Sequence, residues 1–198
     1  MKRIATLFSA ILFVVLFFRS TEAHALGPIN VEVGPRLGYA TNPNTDQATP
    51  LGIGIGGRAG LEFLHGVYAG VGAMYYLGSS QDTTLGVNQV STHSVLFGLE
   101  AGYGLHLRSL TIRPQLGIGE ATITGFKQFD ASTGFVSIND LQVTKNHLYL
   151  EPGVVALINL GLVYVGADAN ILVITDANAQ DGNAYTSFAF GLQAGLRF

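Results

Sequence analysis

Nine charged side chains recur at alternate positions of otherwise apolar stretches, a spacing that places ionic chemistry on one face of a β-strand. They are Glu32, Arg36, Arg58, Glu62, Glu100, Arg113, Glu151, Asp168 and Arg197. Arginine and carboxylate side chains form strong charge-assisted hydrogen bonds, and buried charges persist when they are paired. We predict an internal ion-pair network built from seven of them: Arg36, Arg58, Glu62, Glu100, Arg113, Glu151 and Asp168.

Two roles are open for this network. In the first, the pairs are static and rigidify the interior. In the second, Arg36, Arg58 and Arg113 exchange carboxylate partners and open a narrow path. The mixed signs favour the static role, because mutual pairs with satisfied hydrogen bonds remove the cost of isolated buried charges.

Nucleophilic hydrolysis is a second possible chemistry. Ser91, His93 and Glu120 have the residue types of a Ser/His/carboxylate hydrolase, and all three fall on the same strand face. Pairing of the two strands is predicted to put Glu120 opposite Leu96 and His93 opposite Ile123. That register separates His93 from Glu120 by about 10 Å, which argues against a catalytic triad.

Metal binding is a third chemistry. The segment "DANAQDGN" (Asp176–Asn183) faintly resembles a calcium loop, but Asp181 stands where the pattern needs Gly, and the distal Glu is missing. The other candidate ligands are His65, His93, His106 and His147, which lie on different strands or turns. The chain has no Cys. We therefore expect no metal and no cofactor.

The elements that position these residues are eight segments in which apolar side chains alternate with Gly or polar ones, the period of β-strands. They are Asn30–Ala40, Leu51–Leu64, Gly66–Gly78, His93–Leu107, Leu110–Thr122, His147–Ile158, Leu162–Ile174 and Ser187–Phe198. Three short links alternate strictly with four long ones. All tight turns are therefore predicted at one end, together with both ends of the barrel chain, and all long loops at the other.

The segment "LGIGIGGRAGLEF" shows which face is which. Leu51, Ile53, Ile55, Ala59, Leu61 and Phe63 form its apolar face. Gly52, Gly54, Gly56, Arg58, Gly60 and Glu62 form the other. Gly weakens a strand and is unusual on a water-facing one, but it suits the crowded interior of an eight-stranded barrel. We predict that the apolar faces point outward to lipid.

Strand length and aromatic placement agree with a membrane-spanning barrel. A spanning strand needs about 9–11 residues, and bacterial barrels have an even number of strands. Outward aromatic side chains are expected to ring both rims: Tyr39, Tyr75, Phe97 and Phe188 at the long-loop end, and Phe63, Tyr103 and Phe198 at the tight-turn end. The predicted fold is all-β, an eight-stranded antiparallel up-and-down transmembrane β-barrel.

The first 25 residues are predicted to be a secretory signal peptide. Lys2 and Arg3 precede a mostly apolar stretch of residues 4–18, and Ala23-His24-Ala25 fits a cleavage site. The barrel domain is then residues 26–198, with seven Lys and Arg against twelve Asp and Glu, a net charge of −5. An acidic surface of this kind is a poor partner for nucleic acid.

The alternating segments, the order of short and long links and the ending "FGLQAGLRF" resemble the small outer-membrane barrels of the OmpA and OmpX type. In that family a C-terminal Phe after alternate hydrophobic residues is read by the outer-membrane assembly machinery, so the resemblance implies this role for Phe198. It also implies an outer-membrane location in a Gram-negative-type bacterium, with extracellular long loops and periplasmic termini. The chain is expected to be a monomer surrounded by membrane lipid and lipopolysaccharide.

Some barrels of this size modify lipid A, and "THSVLFG" followed by "IRPQLGIGEATITG" is loosely similar to the deacylases among them. Those enzymes carry a His-x-Ser-Asn signature on the penultimate strand, where this chain has "GADANI" (Gly166–Ile171). We therefore expect no enzyme. The expected role is structural or surface-interacting, with a narrow solute channel as the alternative and a lipid A-modifying enzyme third.

The long segment Ile123–Asn146 is open to two interpretations. It is either a polar loop, or a continuation of the flanking strands as a hairpin that turns at "ASTG" (Ala131–Gly134). A protruding strand edge can pair with strands of other proteins, which would suit adhesion.

Overall fold

The computed structural model describes residues 29–41, 50–78, 80–82, 88–129, 141–175 and 185–198. Its strands are β1 (Asn30–Ala40), β2 (Ile53–Phe63), β3 (Val67–Tyr76), β4 (Ser80–Asp82), β5 (Asn88–Tyr103), β6 (Leu105–Leu107), β7 (Leu110–Phe129), β8 (Leu141–Asn159), β9 (Val163–Ile174) and β10 (Tyr185–Arg197). No helix in these ranges has the length and apolar character needed to cross a membrane. The predicted signal peptide and the segment Asp176–Asn183 lie outside the described residues.

The ten strands form eight walls of one closed antiparallel barrel. Strands β3 and β4 both pair with the same side of β5, so together they occupy one strand position, or wall, of the barrel. Strands β5 and β6 both pair with β7 and occupy another. The remaining neighbours follow chain order, and β1 pairs with β10 to close the sheet. The predicted eight-stranded antiparallel up-and-down β-barrel is confirmed.

Closure of the barrel extends to the last residue of the chain. The Val31 amide donates to the Phe198 carbonyl oxygen at 2.6 Å, and the Phe198 amide donates to the Val31 carbonyl oxygen at 3.1 Å. The end of β10 is therefore held by β1.

The apolar faces point outward, as predicted. Ile53 is 65%, Leu99 62% and Leu192 66% exposed, and each lies on a strand face made of similar residues. The outward aromatic side chains at the long-loop end are Tyr39, Tyr75, Phe97 and Phe188. Phe190, two residues after Phe188 on β10, also points outward. At the tight-turn end Tyr103 and Phe198 are exposed, whereas Phe63 is half-buried.

One prediction for the outward face is wrong. Leu51 is fully buried in the barrel interior, and β2 begins two residues later, at Ile53. Between them Gly52 has φ +119°, a conformation that favours glycine and interrupts the alternation of the strand. The Ser94 hydroxyl donates to the Pro50 carbonyl oxygen at 2.8 Å and fixes this segment over the interior.

Apolar side chains also fill the interior at the long-loop end, whereas glycine and charge were predicted for most of the inward faces. This loop-end apolar cluster consists of Ala40, Leu51, Met74, Tyr76, Leu96, Ala121, Tyr149, Leu172, Ile174 and Ala189. A smaller apolar cluster lies near the tight-turn end: Val155, Leu157 and Tyr164. Met74 and Tyr76 share the parity of Gly70 and Gly72 on β3, so the alternation itself places them inside.

Three strands are longer than predicted. β7 continues to Phe129 and β8 begins at Leu141, and the two remain paired up to Lys127 and Leu141. β5 begins at Asn88, which pairs with Phe129. The hairpin interpretation of the segment Ile123–Asn146 is therefore confirmed for its two strands, β7 and β8. The predicted "ASTG" turn lies outside the described residues. We call the part of β5, β7 and β8 beyond the Ile123–Lys145 pair the sheet extension.

Candidate functional site

All seven residues of the predicted ion-pair network lie in the barrel interior, each with 8% or less of its surface exposed. They come from six strands, β1, β2, β5, β7, β8 and β9, and strand alternation directs each side chain to the axis. Their contacts fall into four groups that follow one another from the tight-turn end to the long-loop end.

A ring of hydrogen bonds closes the tight-turn end. The Glu62 Oε1 atom accepts from Arg197 Nη2 at 2.8 Å and lies 2.9 Å from His106 Nε2. Arg197 Nη1 donates to Asn159 Oδ1 at 3.2 Å, and Asn159 Nδ2 donates to Thr111 Oγ1 at 3.0 Å. Thr111 Oγ1 lies 3.0 Å from His106 Nδ1, which completes the ring.

The ring can be satisfied with a neutral imidazole. Asn159 donates to the Thr111 oxygen, so the Thr111 hydroxyl is free to donate to His106 Nδ1, and Nε2–H then donates to Glu62. Five strands, β2, β6, β7, β8 and β10, are tied across the barrel in this way.

The second group is an ion pair stacked on an aromatic ring. Arg113 Nη1 donates to Glu32 Oε2 at 2.8 Å, and both side chains are fully buried. The Arg113 guanidinium carbon lies 3.7 Å from the centre of the Tyr68 ring, within range of a cation–π interaction. Arg197 Nη1 lies 3.8 Å from Glu32 Oε1 and links this pair to the ring at the tight-turn end.

The third group surrounds Arg58. Arg58 Nη2 contacts Glu100 Oε2 at 2.7 Å and donates to Gln115 Oε1 at 3.2 Å, while Nη1 donates to Gln193 Oε1 at 3.2 Å. The Tyr68 hydroxyl donates to the same Glu100 oxygen at 3.4 Å. One guanidinium therefore joins β2 to β5, β7 and β10 across the interior.

The fourth group, the loop-end charge cluster, consists of Arg36, Glu151, Asp168 and Asn170. Arg36 Nε donates to Asp168 Oδ2 at 3.1 Å, and Nη2 contacts Asp168 Oδ1 and, at 3.1 Å, Glu151 Oε1. Asn170 Nδ2 donates to Glu151 Oε1 at 2.9 Å and to Asp168 Oδ1 at 2.8 Å. The loop-end apolar cluster follows directly along β9, beginning with Leu172.

Two glycines show why the interior alternates small and large residues. A Cβ at Gly60 would lie 2.5 Å from the Tyr68 ring, and one at Gly72 would lie 2.6 Å from Glu100 Oε1. Real Cβ atoms do not approach other atoms so closely, so these positions make room for the long side chains of neighbouring strands.

The neutral partners of the network were not predicted from the sequence. Tyr68, Gln115, Asn170 and Gln193 all donate to or accept from its charged groups. Each lies an even number of residues from an inward glycine or charged residue on its own strand. This spacing could have identified the four as inward side chains. Parity does not tell which strands meet across the interior.

Two of the residues considered for hydrolysis, His93 and Glu120, lie at different levels of the sheet. Glu120 pairs with Phe97, and His93 pairs with Thr124, each one residue from the predicted register. Four residues at about 3.4 Å each separate the two levels, so Glu120 lies further from His93 than predicted. The His93 ring lies 5.6 Å from that of Tyr75. In the described part of the chain no three His, Asp or Glu side chains form a group that could hold a metal ion.

The closed barrel has counterparts among solved structures. A major outer membrane protein from Thermus thermophilus superposes with a TM-score of 0.61 at 14% identity, over 86% of this chain and all of that one. The chain has the fold of the small eight-stranded outer-membrane β-barrels.

Two further structures are similar at lower scores. Ail, the attachment invasion locus protein of Yersinia pestis, gives a TM-score of 0.49 at 13% identity, over 86% of this chain and 97% of that one. Neisserial surface protein A gives 0.47 at 15% identity, over 87% and 97%. No protein-family model matches the sequence, and no curated protein matches it.

The buried Arg113–Glu32 pair gives a first testable prediction. Arg113→Met leaves the Glu32 carboxylate buried with only the more distant Arg197 nearby, so we expect it to lower the free energy of unfolding by about 3–5 kcal/mol. The double variant Arg113→Met/Glu32→Leu removes both charges and is expected to regain most of the loss. Urea unfolding in lipid vesicles measures both, and a double variant less stable than Arg113→Met would contradict this account.

Proposed function

We propose that this protein is an integral outer-membrane β-barrel with a structural or surface-interaction role and a closed interior. The observation that carries the proposal is the outward apolar face, which continues around the described barrel walls and includes Ile53, Leu99 and Leu192. In water such a surface is unfavourable, and in hydrocarbon it is the ordinary exterior of a barrel.

The backbone supports the same location. A closed sheet pairs the N–H and C=O groups of neighbouring strands, which hydrocarbon requires because it offers no water for hydrogen bonding. We propose that the long loops are extracellular and the tight turns and termini periplasmic, as the resemblance to outer-membrane barrels implies. The Phe198 end would then be the segment read by the assembly machinery.

A closed interior is supported by its contents. The loop-end apolar cluster covers the four groups of polar contacts, and Leu51 and Tyr76 are buried within it. Below it, Arg58 and Arg36 reach partners on several strands. We propose that this arrangement is a static plug, in preference to a gate with exchanging partners.

The sheet extension supports a surface role. β9 ends at Ile174, which lies opposite Tyr149 of β8, and β10 begins at the same level of the barrel. β7 and β8 remain paired for several residues beyond this level. We propose that this extension contacts other macromolecules at the cell surface, since sheet edges and faces of this kind can pair with or bind partner chains.

We propose that the protein has no catalytic activity. Glu120 and His93 are too far apart to act together, which weighs against a lipid-modifying hydrolase. Membrane lipid and lipopolysaccharide are the proposed surroundings, and the net charge of −5 over residues 26–198 makes nucleic acid an unsuitable partner. A monomer is proposed.

Charge substitutions on the outward face test the membrane location. Leu99→Arg places a cation in the middle of the apolar face and is expected to lower the free energy of unfolding in lipid vesicles by about 2–4 kcal/mol. The matched variant Leu105→Arg, near the tight turns, is expected to cost about 0–1 kcal/mol. Equal effects at the two positions would show that the face does not follow bilayer depth.

Conductance tests the closed interior. Reconstituted in a planar bilayer, the wild-type protein is expected to give no steady ion steps, with a porin in the same bilayer as the positive control. Steady steps that change in size in the Arg58→Ala variant would identify a narrow channel and contradict the plug.

Shortening the sheet extension tests the surface role. Replacing residues 124–144 with an Asn-Gly turn retains the Ile123–Lys145 pair and the barrel below it. Cells carrying this variant are expected to bind matrix-coated surfaces no better than cells without the protein. A variant shortened in residues 176–184 serves as control, and a mobility shift on an unheated gel verifies folding. Undiminished binding by the folded 124–144 variant would argue against the proposal.

A further inference from the structure

The loop-end charge cluster contains two carboxylates and one guanidinium. Elsewhere in the described interior the charges balance: Arg58 faces Glu100, and Arg113 and Arg197 face Glu32 and Glu62. Arg36 alone faces both Glu151 and Asp168. If both carboxylates were ionised, this cluster would carry one uncompensated negative charge.

The two carboxylates are not held equally. Arg36 donates to Asp168 through both Nε and Nη2, with one hydrogen bond to each carboxylate oxygen. This is the bidentate arrangement of an ionised carboxylate. Both hydrogen bonds that reach Glu151, from Arg36 and from Asn170, end on Oε1. The Glu151 Oε2 atom is therefore the position at which a proton can be added without displacing either contact.

Among the described residues, the surroundings of the cluster do not supply the missing positive charge. The titratable and charged groups that face Glu151 from neighbouring walls and its own strand are Arg36, Tyr76, Glu100, Tyr149 and Asp168. β7 and β10 present Gly117 and Gly191 there. Arg58, the next guanidinium, contacts Glu100.

Burial makes the charge imbalance costly. Glu151 and Asp168 are both nine-tenths buried or more, and the loop-end apolar cluster separates them from the long-loop end. An unpaired charge in such a site is costly, and when two carboxylates share one site the ionisation of one of them is strongly disfavoured.

We propose that the Glu151–Asp168 pair binds one proton at neutral pH, located on Glu151 Oε2, and that this proton holds the interior closed. The proposal rests on the closed interior proposed above and names what stabilises its loop end. Loss of the proton to solvent leaves a net charge of −1 beside Tyr76 and Tyr149, and the apolar cluster above it is then destabilised.

A stability dependence on pH follows, with a fixed sign. At neutral pH the glutamate of an unfolded chain is ionised, so the folded protein holds one more proton than the unfolded one. Raising the pH then favours unfolding, by up to about tenfold in the unfolding equilibrium constant per pH unit. Substitution of Glu151 by Gln mimics the protonated form and removes this dependence.

Infrared spectroscopy of the folded protein in lipid vesicles tests the proton directly. At neutral pH the wild type is expected to show the C=O stretch of a protonated carboxylic acid, with a shift in D₂O. The band is expected to be absent in Glu151→Gln and retained in Glu62→Gln, which removes a carboxylate from the tight-turn end. A wild type without the band, or a Glu151→Gln variant that keeps it, would overturn the proposal.

Urea unfolding between about pH 6 and 8 supplies the second measurement. The rise of the unfolding constant with pH is expected to be smaller in Glu151→Gln than in the wild type by the contribution of one proton. At pH 7 Glu151→Gln is expected to be as stable as the wild type and Asp168→Asn less stable. The reverse order would place the proton on Asp168. Stability that depends on added Na⁺ or Mg²⁺, and not on pH, would show that a bound cation takes the place of the proton. Either result would overturn the assignment to Glu151. Neither readout depends on conductance, so a failure here is distinct from a failure of the proposed plug.

Discussion

The pairing of β1 with β10 is the constraint on which the rest of the barrel depends. Once these strands meet, the sheet closes and the backbone groups of its walls are paired with one another. Eight walls enclose an interior only wide enough for side chains. Every inward position must then be filled by groups that fit together, and every outward position meets the surroundings.

The narrow interior explains why glycine and long charged residues occur together. Gly72 leaves space for Glu100, which in turn meets Arg58 from a wall further round the barrel. The polar groups satisfy one another across the axis, while Leu51 and its apolar neighbours fill the long-loop end. The barrel is thus polar along its middle and apolar at one end, and the two parts adjoin along β9, where Leu172 is the next inward position after Asn170.

Strand alternation was enough to predict the fold, the outward face and the inward position of residues such as Arg36 and Asp168. It failed at Leu51, because one glycine with a left-handed backbone reverses the expected side, and φ is not visible in a pattern of hydrophobicity. It also could not assign partners: Arg58 of β2 meets Gln193 of β10, on the far side of β1, because of the stagger between strands, which alternation within one strand does not record. The ends of β7 and β8 were underestimated because apolar residues no longer alternate regularly there: Phe126 and Phe129 have opposite parity, and Lys145 follows Leu141 and Val143 at the same parity.

The hydrogen bonds between Val31 and Phe198 join residues separated by nearly the whole described chain. Contacts of such long sequence separation form late and slowly, because the entropy of closing the intervening chain is lost before they form. Until then β1 and β10 each present an open edge that can pair with another polypeptide. Completion of this molecule is therefore a step that a helper protein can guide, and one at which a newly made chain is most exposed to aggregation.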